Sequence, residues 1–456
     1  MASISSGLAP RKWPAPAMAG NASAQHNASI QDAGPLPFSL KAILLSLFVP
    51  VELSFYVLGL RLTLTRLLFL VLTPFLVVKL VQRASAGRFR FLLCDAVVVL
   101  AGFWMIFASA DVDGLESALN HAGPEVLEFC IGYMCTRIFL LENGHALRFV
   151  DLLCRVIAVV ALVGLLDPLT NHYVAHDVAS WLTATVNKLY NWQDSHRVGL
   201  LRATGPIEHP ILYGFICGIS LLIAISNPIR WRPFVIFSCA LGTIFAWSSA
   251  PLQGTLLGCA LLIYDRVMVR VGVRWLLLIG VGMLALAAAF VVSESPIGFI
   301  ISHFIYDPES GYYRQWTWDR TIFYVSQSPW YGLGYGPVPD EIDHSIDSLW
   351  LVLAIHSGFV GAALVMFSLF LAASLPKRRH NINLASGSNL ATTLSMLIFL
   401  TMFVSFTVHL WGTTWILIAL LVGLKAHLGQ LGLRHNMRRD LIYVNEAFTP
   451  KAIGAR

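Results

Sequence analysis

Charge is scarce in this sequence. Asp, Glu, Lys and Arg make up 12% of its 456 residues, about half the share of an ordinary soluble domain, which excludes a solvated globular fold of this length. Cysteine is sparse as well, and its placement matters more than its number. Cys94, Cys130, Cys135, Cys154, Cys217, Cys239 and Cys259 all fall in apolar segments, which argues against a disulfide framework and against a zinc site. No metal or other cofactor is expected. No internal repeat is visible, which disfavours transporters built from paired halves. A signal peptide is not expected either. Residues 1–37 are rich in Ala, Ser, Pro and Asn, and their basic pair Arg11-Lys12 stands far from the first apolar run. This stretch reads as a disordered tail.

What the chain has is grease. Hydrophobic residues make up 57% of it, mean hydropathy is +0.69, and apolar runs recur that are long enough to cross a hydrocarbon core about 30 Å thick. The expectation is an all-α polytopic membrane protein. Twelve spans are read at 39–57, 60–81, 91–109, 124–142, 147–168, 209–227, 233–249, 251–268, 275–293, 346–375, 389–408 and 409–428, within a membrane domain covering 38–430. Basic residues cluster in alternate links: Arg83, Arg88 and Arg90; Arg230 and Arg232; Arg266, Arg270 and Arg274; Lys377, Arg378 and Arg379. The tail from 431 to 456 adds Arg434, Arg438 and Arg439. By the positive-inside rule these links and both termini are cytoplasmic. The formal charge of +6 therefore reports topology and does not imply nucleic acid.

Two polar segments are much longer than turns, and both fall on the outer side: 169–208, and 294–345 between the ninth and tenth spans. Both keep basic residues that topology alone would remove: Lys188, Arg197 and Arg202 in the first, Arg314 and Arg320 in the second. Residues 313–327 (YRQWTWDRTIFYVSQ) read as an amphipathic interfacial helix stopped near Pro329. Trp316, Arg320 and Phe323 fall near one stripe, with Arg314, Trp318 and Thr321 beside it. The following 329-PWYGLGYGP-337 is a tight loop whose glycines allow backbone to approach a neighbour or ligand closely. Arginine suits phosphate because its planar fork makes bidentate, charge-assisted bonds. Arg202, Arg314 and Arg320 are the candidates to neutralise a departing sugar diphosphate without a metal. Headgroup snorkelling and an aromatic belt are the plainer account of the same residues.

At the mouth of the tenth span, 343-DHSIDSLW-350 places His344 and Asp347 three apart. Either could accept a proton from a sugar hydroxyl, while helix capping explains an acid here equally well. Glu208 and His209, in 202-RATGPIEHPILYG-214, are substrate-binding candidates or interfacial caps. Glu52 is an acid inside the first span, read as pairing with Arg61 or Arg66. His356 reads as packing, and Ser357, Gly358 and Gly361 as a small-residue patch for close helix contact.

The run 314-RQWTWDRTIFYVSQSPWYGLGYG-336, followed by 347-DSLWLVLAIHSGFVG-361, resembles the signature of the O-antigen polymerase and ligase superfamily. The segment 202-RATGPIEHPILYG-214 is similar to that family's Arg-x-x-Gly-x-x-x-His-Pro approach to its central helices. The opening 50-PVELSFYVLGLRLTLTRLLFL-70 looks like its exopolysaccharide polymerases. The resemblance implies a membrane glycosyltransferase of the GT-C type in a bacterial inner membrane, inverting and metal-independent. Its partner would be an oligosaccharide on polyprenyl diphosphate, alongside membrane lipid and other polysaccharide assembly and export proteins. It carries the family's functional positions onto Arg202, Arg314 and the polar pair before the tenth span. Asp347-Ser348 stands where the ligases carry a His-Asn-type pair, which favours a polymerase. Many members have Ser-Arg-Gly near the start of a central helix; 248-SSAPLQG-254 lacks that arginine, and Arg320 is the expected replacement. Arg314 with Asp347 or His344 is then the expected catalytic group. Arg202, Arg320, Trp316, Trp318, Glu208 and His209 are expected to hold substrate. The alternatives are a ligase transferring finished glycan to lipid A core, and a glycan transporter without covalent chemistry.

Overall fold

A computed structural model describes residues 35–57, 60–140, 143–191, 195–292, 308–339, 346–376 and 385–448. The chain is mostly helical. It opens with α1 (Phe38–Ser46), then the hairpin β1 (Ser54–Val57) and β2 (Leu60–Thr63), then α2 (Leu64–Ser85) and α3 (Leu93–Asp113). Two short helices, α4 (Leu115–Asn120) and α5 (Ala122–Val126), lead through a π-helical turn (Leu127–Ile131) into α6 (Gly132–Phe139). Then come α7 (Asn143–Thr170), α8 (Val174–Thr183) and a two-residue hairpin of β3 (His196–Arg197) and β4 (Leu200–Leu201). The rest is helical: α9 (Pro210–Ser226), α10 (Arg232–Phe245), α11 (Ser249–Val267), α12 (Arg274–Val292), α13 (Pro308–Val325), α14 (Leu349–Ser374), α15 (Ala385–Val404) and α16 (Gly412–Phe448).

Among the described residues, five helices are long and apolar enough to cross a membrane: α2, α3, His145–Thr170 of α7, α14, and Gly412–Leu433 of α16. Shorter apolar helices lie at Pro210–Ser226, Arg232–Phe245, Arg274–Leu284 and Leu390–Val404. These features mark a helical membrane protein. Helices overlie most of the expected spans, with one clear exception. Residues 39–57 are not one helix: α1 ends at Ser46, Pro50 follows, and residues 54–57 pair antiparallel with 60–63, Tyr56 opposite Arg61. A proline lacks the backbone N–H that a helix uses and disfavours its continuation, and hydrophobicity alone cannot tell an aromatic, β-branched strand from a helical turn. The last helix, α16, continues to Phe448, into the segment read as a tail.

Packing sorts the helices into centre and rim. In α9 every residue from Leu212 to Ala224 is buried, as expected of a helix apolar all round; it packs against α10 and α11. The apolar window of α16 is 89% buried and that of α2 only 17%, so α16 lies inside the bundle and α2 faces outward. Among the described residues the most extensive helix–helix contact is that of α3 with α14. Here α14 is broken at Ser357 and Gly358, whose backbone leaves the helical region. The Gly332 loop fills the break: Leu333 N–H donates to the Ile355 carbonyl (2.6 Å), and Phe359 N–H donates to Pro329 O (2.9 Å). Gly332 and Gly358 both hold positive φ, and a Cβ on Gly358 would run into the Trp330 carbonyl. The close approach read from the glycines is thus to a neighbouring helix. Trp104 of α3 seals the joint, donating from Nε1 to Ser357 O (3.0 Å) and stacking on Tyr331.

Candidate functional site: an amphipathic cavity behind the first hairpin

Between α1, the β1–β2 hairpin and the start of α16 lies a cavity of about 630 Å³. Its position follows from the break after α1. Because Pro50 ends the helical path, residues 49–56 fold across the mouth and carry Glu52 into its wall. The hairpin then returns Arg61 to the same wall, and the first turn of α2 adds Arg66. Thr63 caps that helix, its side chain accepting from Arg66 N–H (3.3 Å).

The charged groups are arranged differently from the expected Glu52–arginine pair. Arg66 Nε donates to Glu128 Oε1 at 2.7 Å, and Arg66 Nη1 to the Arg61 carbonyl at 3.0 Å. Arg61 is held by neutral acceptors, Ser54 Oγ (3.0 Å) and Val51 O (2.8 Å). It makes no ion pair among the described residues. Glu52 instead faces His176 of α8, with both carboxylate oxygens 2.9 Å from Nδ1. The correction has a simple cause: the 169–208 segment folds back over the hairpin, a contact that no local spacing reveals.

The His176–Glu52 pair has a defined proton inventory. Nε2 sits 3.1 Å from the Ile207 carbonyl, which only accepts, so Nε2 carries a hydrogen. The remaining proton is then shared between Nδ1 and Glu52. Burial lowers the His176 pKa, but the Glu52 carboxylate and the Ile207 carbonyl more than offset it and the net shift is upward. Glu208 approaches the opposite wall. Its Oε1 accepts from Thr413 N–H (3.3 Å) and Thr413 Oγ1 (3.2 Å). Its Oε2 is buried with no hydrogen-bond partner among the described residues, and burial raises its pKa. Glu125 lines the far side and accepts from the Tyr335 hydroxyl (2.7 Å). Tyr335 stacks on His356, whose Nδ1 is 3.8 Å from Glu125 Oε1. His356 is therefore part of a polar cluster and not simple packing.

The rest of the wall mixes hydroxyl side chains such as Thr65, Thr183 and Thr185 with apolar and aromatic ones. Leu349, Val352 and Leu353 of α14 line one side, and Tyr56, Trp411 and Trp415 supply ring faces. A cavity with two guanidiniums, shared-proton acids and a greasy side suits a ligand that is anionic at one point and both polar and apolar elsewhere.

The residues expected from sequence lie around this cavity more than in it. Glu208 is in its wall. His209 is the N-cap of α9, Nδ1 accepting from Ile211 N–H (3.1 Å), and it packs on Trp411. Burial and then Arg202 and Arg197 push its pKa down to about 3. Arg202 is buried, with Nε donating to the Ala246 carbonyl (3.2 Å). Arg314 Nη2 lies 3.9 Å from Asp347 Oδ2, in a cleft of about 10 Å³ shared with Trp318 and Ser348. Leu349 and Val352 face the cavity and Ser348 and Leu351 face this cleft, so the first turn of α14 separates them. Asp347 precedes the helix; Ser348 is its cap, accepting from Leu351 N–H (3.5 Å). The expected amphipathic helix is present as α13, its buried stripe formed by Thr317, Thr321 and Val325. Trp316 and Arg320 point outward, whereas Trp318 Nε1 donates to Phe406 O (3.1 Å). His344 lies outside the described residues.

Sequence reading missed Glu125, Glu128, His176 and His409 as wall residues. A signal existed for one pair: Glu125 and Glu128 are acids three apart in an apolar segment, the pattern that marks an intramembrane site. Comparison with protein-family models gives no match to this chain, and comparison with curated proteins gives none.

Proposed function

We propose that the protein is a polysaccharide polymerase that joins polyprenyl-diphosphate-linked repeat units on the outer side of a bacterial inner membrane, with both termini cytoplasmic. The observation carrying this reading is the 630 Å³ cavity, in which Arg61 lacks a carboxylate partner among the described residues and the Glu52–His176 pair faces it across the same wall. In this reading Arg61 and Arg66 hold the diphosphate. Glu52 accepts the proton of the incoming sugar hydroxyl, with His176 sharing it. The hydroxyl oxygen bonds to the anomeric carbon from the opposite face, the bond from that carbon to the phosphate oxygen breaks, and the diphosphate leaves with its charge held by the guanidiniums. Configuration inverts and no metal is required. Leu349, Val352 and Leu353 take the first isoprene units, and Trp411 and Tyr56 stack on sugar faces.

The charge at Arg61 and Arg66 replaces the arginine missing from 248-SSAPLQG-254 better than the outward-facing Arg320. The test is purified protein in liposomes supplied with a synthetic polyprenyl-diphosphate oligosaccharide alone. A ladder of products spaced by one repeat unit supports the polymerase. A donor that reacts only once lipid A core is added makes the protein a ligase, and a donor that changes leaflet intact makes it a transporter.

A further inference from the structure

Helix α8 is patterned inside out. Tyr173 at its N-cap, then His176, Ala179 and Ser180, fall on one stripe and are all buried. His176 on that stripe meets Glu52 of the cavity wall at 2.9 Å. The opposite stripe is apolar and uncharged: Val178, Trp181 and Leu182 are exposed, Trp181 to 80%. The nearby acid Asp177 is half-buried and engaged, accepting from Asn187 Nδ2 (2.8 Å) and from the Tyr190 hydroxyl (2.7 Å). A helix whose outer face meets water turns its polar side chains outward. In α8 the hydrogen-bonding side chains face the protein instead, so the medium outside it is apolar.

The preceding helix ties that medium to the bilayer. His145–Thr170 of α7 is long and apolar enough to cross a membrane, and Val159, Leu162, Leu166 and Leu169 form one exposed apolar stripe along it, the face it turns to lipid. α8 packs against α7, and Asp167 fixes the joint. One of its carboxylate oxygens accepts from Val174 N–H (3.1 Å) and the other from Gly205 N–H (2.8 Å), so α8 begins at the level where the lipid-facing stripe of α7 ends. Its ten residues rise about 15 Å, half of a hydrocarbon core of roughly 30 Å, too short to cross. From this we infer that α8 is an interfacial helix, docked through Val178, Trp181 and Leu182 onto the bilayer leaflet that surrounds the end of α7. Such a face sinks about 5–10 Å into the boundary between headgroups and acyl chains, and a tryptophan is the residue most at home there. The bilayer then backs one wall of the hairpin cavity, because the same helix holds His176 against Glu52 on its inner side. Thr183, Thr185 and Val186 continue from it into the cavity lining. The docking does not depend on the polymerase reading, since it rests on the pattern of α8 and its joint with α7.

The experiment is site-directed spin labelling of the full-length protein in phosphatidylglycerol nanodiscs. Val178→Cys and Leu182→Cys probe the face, Leu166→Cys on the α7 stripe is the lipid reference, and His196→Cys in the β3–β4 hairpin is the water reference. All four side chains are exposed, so folding is not at stake. The native thiols are buried or half-buried, and wild type labelled in the same way supplies their background. Oxygen concentrates in the bilayer and a nickel chelate in water, so the ratio of their relaxation effects reads the surroundings of each label. Labels on both α8 variants should match Leu166→Cys and favour oxygen, opposite to His196→Cys. A preference for nickel at both positions puts the face in water and overturns the docking. Exclusion of both reagents overturns the lipid assignment in favour of a second copy of the chain covering the face.

Discussion

At the Asp95 end of α3 the buried acid and its arginine have their partners in place, whereas around the hairpin cavity, whose wall residue Glu128 precedes the Asp95-bonded Tyr133 in the same helical stretch, charges face a void. Asp95 takes a bidentate fork from Arg137, Nε at 2.9 Å and Nη2 at 3.0 Å, and also accepts from the Tyr133 hydroxyl and Leu92 N–H. Arg137 spends its remaining donors on Gln430 Oε1 and the Arg90 carbonyl and lies over the Phe89 ring. Its side chain is 0% exposed. Around the hairpin cavity, Arg61 has only neutral acceptors and Glu208 Oε2 has none among the described residues. A protein that can satisfy a buried arginine completely in one place and leaves groups open in another separates structure from chemistry. A buried polar group left unpaired costs stability, and among the described residues Glu208 Oε2 is such a group in the cavity wall, as Arg314 Nε is at the cleft.

The sharpest break of that contrast is at the closed cluster. Arg137→Leu strands Asp95 in the bundle and should cost about 3–5 kcal/mol, read as a large drop in thermal unfolding temperature in detergent. Replacing Asp95 and Arg137 together by leucine should be milder than either change alone. Next comes the joint between the Gly332 loop and the break in α14. Gly358→Ala forces a Cβ at φ +69 into the Trp330 carbonyl and should cost about 1–3 kcal/mol for the backbone conformation alone, with faster hydrogen exchange at Leu333 and Gly334.

A smaller effect sharpens the open side. The folded pKa of His176 is raised above the unfolded value of about 6.5. The stabilisation from its pair with Glu52 is therefore complete below about pH 6.5 and is lost as pH rises through the folded value. Melting temperature measured from pH 5.5 to 9, a range of roughly 3.5 units around that reference, should fall more steeply for wild type than for Glu52→Gln. The smallest effect is at the cleft. Arg314 and Asp347 are 3.9 Å apart, with side chains 22% and 39% exposed, so Arg314→Ala should change stability by less than about 1 kcal/mol.

Much of this fold was legible because apolar period and length dominate in a membrane protein. The apolar α9, the amphipathic α13 stopped before Pro329, and the need for close approach at Gly332 all follow from local pattern. The candidate site was not local. Glu52 and His176 are 124 positions apart and Glu208 and Thr413 are 205 apart, and no spacing rule joins such residues. The hairpin that gathers them sits inside an apolar run that reads equally well as the end of a helix. The basic residues outside the alternate basic links stand out in the sequence as an anomaly. Arg202, Arg314 and Arg320 are conspicuous because they lie in long polar segments, whereas Arg61 and Arg66 fall inside the second expected span, 60–81.

The central claim is that the hairpin cavity, and not the Arg314 cleft, is the reaction chamber. It is tested by comparing Arg61→Ala and Glu52→Gln with Arg314→Ala and Asp347→Ala in liposomes given polyprenyl-diphosphate oligosaccharide, with each protein's melting temperature recorded. The account predicts a repeat-unit ladder from wild type that is lost in the first two variants although both still show a cooperative melting transition, and kept in the second two. A ladder that survives in Arg61→Ala and Glu52→Gln but vanishes in Arg314→Ala would contradict it and move the chemistry to the mouth of α14.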